Sequence, residues 1–111
     1  MIYKIPSLEQ IYNEYHKQTF FAMNGTYPKT IVNYDKFLKN QNAIELVKKF
    51  QNLLARNRDA IDWKLYIEAL AQHFKTRFDL RYLSNLAGIK TYRSYVQNKF
   101  QNTDDETKIY N

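Results

Sequence analysis

Four residues in the chain, Pro6, Gly25, Pro28 and Gly88, are strong breakers of regular structure. Between Pro28 and Gly88 there is neither a glycine nor a proline, so hairpin and sandwich turns have almost no material there. Apolar residues meanwhile recur every three or four positions, and the fold class this predicts is all-α. A length of 111 residues suits one domain with one core. The expectation is a single compact domain of five or six helices over 1–101. A disordered acidic tail of net charge −2 follows at 102–111, where apolar residues are scarce. At Asn24-Gly25 a short hairpin over 19–33 is the alternative to a helix–loop–helix.

Taken in order, Ser7 with Gln10 forms a capping-box pattern opening a helix that buries Leu8, Ile11, Tyr12 and Tyr15 and runs to about Phe21. Thr30 opens a second, carrying Ile31, Tyr34, Phe37 and Leu38. Asn42 caps a third from Ala43 to about Asn57, striped by Ile44, Val47, Phe50 and Leu54. Asp59 or Asp62 caps a fourth, whose Trp63, Tyr66, Ile67, Leu70 and Phe74 mark it as the core helix.

The last stretch, 78–100, holds Leu80, Leu83, Leu86 and Ala87 at helical spacing. Gly88 then interrupts, with Thr91 placed to cap a further helix bearing Tyr92, Tyr95, Val96 and Phe100 on one side. Leu-Ser-Asn-Leu-Ala-Gly-Ile, 83–89, resembles the turn of the helix-turn-helix superfamily of DNA-binding proteins. It departs from the family pattern at Ser84, where alanine is usual, and at Ser94, where an apolar residue is usual; Tyr95 takes that place if the turn is one residue longer. The resemblance implies a C-terminal helix-turn-helix over about 78–100, with Gly88 at positive φ in its corner and DNA read by the helix starting at Thr91.

Charge points the same way. The net charge is +6, and residues 72–101 carry Lys75, Arg77, Arg81, Lys90, Arg93 and Lys99 against Asp79 alone, a local balance of +5. The leading expectation is therefore a small basic DNA-binding protein. Thr91, Arg93, Ser94 and Gln97 reach base edges, while Lys75, Arg77, Arg81, Lys90 and Lys99 hold phosphates. Double-stranded DNA is favoured; for single strands, Tyr82 and Tyr92 are the stacking candidates. An abundance of Lys, Asn, Ile and Tyr is typical of AT-rich genomes, plasmids and phages among them, which suggests a regulator or replication accessory of a mobile element. The alternative is a protein-interaction module that binds and inhibits a host protein, with no nucleic-acid role. A surface cluster of Phe20, Phe21, Tyr27 and Tyr34 would favour it. A homodimer through the N-terminal helices, Leu8 to about Asn57, is also compatible with the pattern.

Other classes find little support. There is no cysteine, and His16 and His73 stand apart at no metal spacing, so neither a metal nor another cofactor is expected. His73 reads as structural, and its spacing from Arg77 does not match a tyrosine recombinase. The expectation is a non-enzyme. No apolar run reaches the length of a signal peptide or membrane span, which predicts a cytoplasmic protein.

Overall fold

The computed structural model describes residues 4–29 and 34–109, with side chains through Phe100. It is all-helical, and no strand occurs among the described residues. Five α-helices follow one another: α1 (Leu8–Asn24), α2 (Tyr34–Leu38), α3 (Gln41–Arg56), α4 (Trp63–Phe74) and α5 (Leu86–Ile109). Two 3-10 turns, Lys75–Arg77 and Leu80–Ser84, link α4 to α5.

The capping box forms as expected: the Gln10 amide donates to Ser7 Oγ at 3.1 Å, and the Ser7 amide to Gln10 Oε1 at 2.9 Å. α1 then outruns its expected end and stops at Gly25, whose φ of 77° lets its amide close on the Phe21 carbonyl. That excludes a strand before the turn, so the hairpin alternative is not what forms. Thr30 and Ile31, expected to open the second helix, lie outside the described residues. Asn40, rather than Asn42, caps α3 by accepting from the Ala43 amide at 3.1 Å. Leu38, placed on a buried face by its spacing, is half exposed at 50 % because α2 is only five residues long.

α4 is the centre of the fold. Tyr66, Ile67, Ala69, Leu70 and Ala71 all have zero exposure, so this helix is apolar nearly all round, as buried helices are. It touches α1, α5 and both 3-10 turns. Asp62 caps it, accepting from the Lys64 and Leu65 amides. Its two small alanines let neighbours approach. A chain of rings, Phe50–Tyr66–Tyr92 with centroids 5.1 and 5.2 Å apart, binds α3, α4 and α5 into one core.

The fold does not confirm the helix-turn-helix expected over about 78–100. Leu80 to Ser84 makes a 3-10 turn, opened by Asp79, and Asn85 is extended. The Asn85 side chain then accepts from the Gly88 amide at 3.0 Å and caps a helix that begins at Leu86, not at Thr91. Gly88 therefore lies inside α5 without positive φ; the positive-φ residues described are Gly25 and Lys75. A methyl group at Gly88 would collide with the Tyr82 carbonyl oxygen and stand 2.7 Å from the Tyr66 hydroxyl. The glycine is needed for close approach, not for a turn. Of the four-residue stripe, Leu80 and Leu83 are buried, whereas Leu86 and Ala87 are exposed in the first turn of α5. α5 carries the backbone on through 102–109, where the sequence predicts a disordered tail.

Candidate nucleic-acid interface

α5 is fixed along one side and free along the other. Gly88 and Tyr92 are buried, with Ile89, Tyr95 and Val96 half-buried beside them. The Tyr92 hydroxyl accepts from the Asp62 amide at 3.1 Å, and the Tyr95 hydroxyl donates to Glu68 Oε2 at 2.8 Å. Burial, then that hydrogen bond and the Glu68 charge, push the Tyr95 hydroxyl up to about 12. Both bonds pin α5 to α4 and its cap.

With this side fixed, the 3.6-residue period turns Lys90, Arg93, Ser94 and Gln97 outward, and all four are exposed. Thr91 is not among them. It is half-buried on the flank, and its hydroxyl donates to the Ala87 carbonyl at 2.9 Å. Lys75, Arg77 and Arg81 are exposed on the two 3-10 turns that precede α5. Arg81 Nε is paired with Asp79 Oδ1 at 3.2 Å across exposed side chains. Lys99 is exposed and lies over the Tyr95 ring, 5.8 Å from its centroid. Lys75 is held at φ 46° as it leaves α4, an unusual conformation for a residue with a side chain.

The two stacking candidates fare differently from their expectation. Tyr92 is only 8 % exposed and belongs to the core ring chain, because the helix starts five residues earlier than Thr91 and rotates position 92 inward. Tyr82 is half-buried and already stacked on Phe74, with centroids 4.1 Å apart and planes 13° from parallel. His73 is exposed, edge-on to Phe74.

Sequence spacing also hid a second surface. Phe100, expected on the buried side of its helix, is 63 % exposed. It borders an apolar groove of about 450 Å³ that runs between the loop 57–62 and α5. A further aromatic group sits at the end of α1, where Phe21 stacks on Tyr27 at 4.5 Å and Met23 and Tyr27 are exposed. Tyr34 does not join it; its ring leans on Phe37 instead.

No protein-family model matches the chain, and no curated protein or solved structure gives a significant match. Among the described residues, no helix is long and apolar enough to cross a membrane.

Proposed function

We propose that the protein binds nucleic acid, duplex DNA in particular, with α5 and the two 3-10 turns before it. The observation that carries this is the outward face of α5, where Lys90, Arg93, Ser94 and Gln97 stand together in solvent while the opposite side is locked to α4. Lys75, Arg77 and Arg81 extend the positive charge, with Lys99 farther along the helix. Such a face suits a groove: cations meet phosphates, and Arg93 and Gln97 present donors to base edges. Duplex is preferred to single strand because Tyr92 is in the core and Tyr82 is occupied by Phe74, which leaves no exposed aromatic platform among the basic residues before Phe100. The glycine corner of the helix-turn-helix resemblance carries no weight here; charge and exposure do. A small regulator or replication accessory of a mobile element is the role that fits.

The test is a binding series with mixed-sequence duplex and single strand. Duplex affinity should fall by ~10³-fold between about 50 and 200 mM salt if about six phosphates are neutralised. Arg81→Ala should weaken all sequences alike, and Arg93→Ala should relax discrimination between sites. No binding at low micromolar protein and low salt would sink the proposal.

The aromatic group at the end of α1 favours a second reading, a protein-interaction module. Site-specific photo-crosslinking from position 27 in cells distinguishes it: one crosslinked protein, together with no DNA binding, would select this reading.

A further inference from the structure

The groove beside α5 is unlike the rest of the surface. Ile61, Trp63, Leu65, Tyr92 and Val96 line it, Arg58, Asp59 and Asp62 rim it, and Phe100 stands at its edge with most of its ring in water. One patch therefore holds both an apolar recess and an apolar projection. A surface with both is self-complementary under a two-fold axis, the geometry of an isologous pair.

We infer that this patch joins two copies of the chain, with α5 antiparallel to its counterpart and Phe100 of each copy seated in the groove of the other. Charge selects a second copy over any other occupant. α5 runs on past Phe100 to Ile109, and its positions 104–106 are Asp-Asp-Glu in the sequence. An axis passing near position 100 sets positions 104–106 of one copy opposite 94–96 of the other. That places the acidic stretch within a turn or so of Arg93 and beside the rim residue Arg58. The same opposition occurs twice, once on each side of the axis. Lys90, Ser94 and Gln97 lie round the helix from Phe100 and stay outward. The pairing does not depend on nucleic acid and is measured without it.

The experiment uses the full chain and its single tryptophan, Trp63, which lines the groove. Sedimentation equilibrium from about 1 to 500 µM, the range of a modest homodimer, is run alongside Trp63 emission on the same samples. The mass should rise from one chain to two, and the emission should shift to the blue over the same concentrations. Phe100→Glu should remain a single chain throughout with its helical circular dichroism intact, and Phe100→Ser should do the same. Arg58→Glu should weaken pairing by about tenfold or more, and so should a rise in salt. A single chain at every concentration overturns the inference. So does a dimer whose Trp63 emission never changes, or one that survives Phe100→Glu and Phe100→Ser.

Discussion

At Gly25 the chain turns through φ 77° with nothing within 4 Å of where a side chain would begin. At Gly88 the backbone is helical, and the place of the missing side chain is taken by the Tyr82 carbonyl and the Tyr66 hydroxyl. Both glycines stand near a helix end. The first is required for its dihedral and the second for its volume. A sequence displays the residue but not which property is in use, and a glycine flanked by helical patterns reads as a turn in either case.

The largest expected effect separates the two. Gly88→Ala should cost about 3 kcal/mol or more, because backbone on a neighbouring turn must move, at the upper end of overpacking costs. Adding Tyr66→Phe to it should restore only part, since the Tyr82 carbonyl remains. Chemical denaturation that finds Gly88→Ala within error of the parent would end the claim of close approach.

Gly25→Ala should cost roughly 1–2 kcal/mol, the strain of a left-handed residue with a side chain, despite the open space around it. Gly25→Asn should retain most of the stability. If the alanine variant melts with the parent, the φ at Gly25 is not a constraint.

Lys75 sharpens the comparison, since it takes a positive φ of 46° with no glycine to ease it. Lys75→Gly should therefore stabilise the fold by about 1 kcal/mol while weakening any phosphate contact the lysine makes. A lower melting temperature in that variant would show that the lysine's packing outweighs its strain.

The smallest effect concerns Tyr66. It has zero exposure, and its hydroxyl finds no hydrogen-bond partner among the described residues. Tyr66→Phe should raise stability by about 1 kcal/mol. Burial raises the Tyr66 hydroxyl well above its ordinary value of 10.0. Tyr15 is pushed up to about 12 by burial, then by the Asp79 carboxylate and Tyr12, and Tyr95 likewise reaches about 12. The fold thus holds these groups protonated longer than the unfolded chain does. Their contribution is complete below pH 10 and is lost as pH rises through about 12. Melting temperatures at rising alkaline pH should fall, and fall less steeply for Tyr66→Phe. A flat profile would rule out this linkage.

Much of the helical layout was legible. Scarce breakers and regular apolar spacing predict α1, α3 and α4, and the capping box at Ser7 forms as its residues suggest. The last corner was not legible, for a physical reason. Asn85 has two uses available, interior helix residue or cap, and its side chain captures the Gly88 amide as soon as the 3-10 turn at 80–84 ends. That single choice starts α5 early and rotates everything after it: Tyr92 turns inward and Thr91 bonds to its own helix. At the far end Phe100 is left in water. Arg93, Ser94 and Gln97 remain outward because their spacing was judged relative to one another.

α1 also carries a constraint in time. Tyr15 meets Phe78, 63 residues later, with its hydroxyl 3.5 Å from the Phe78 carbonyl, and the helix lies against α4 and the turn Lys75–Arg77. At about 5–20 residues per second on the ribosome, that partner is made roughly 3–13 s after Tyr15. The first helix synthesised is therefore among the last to be housed. Its buried polar pair suits that wait: Gln18 Nε2 donates to Glu14 Oε2 at 2.8 Å within the same helix, so the bond can form before any of the surface that will later cover it exists.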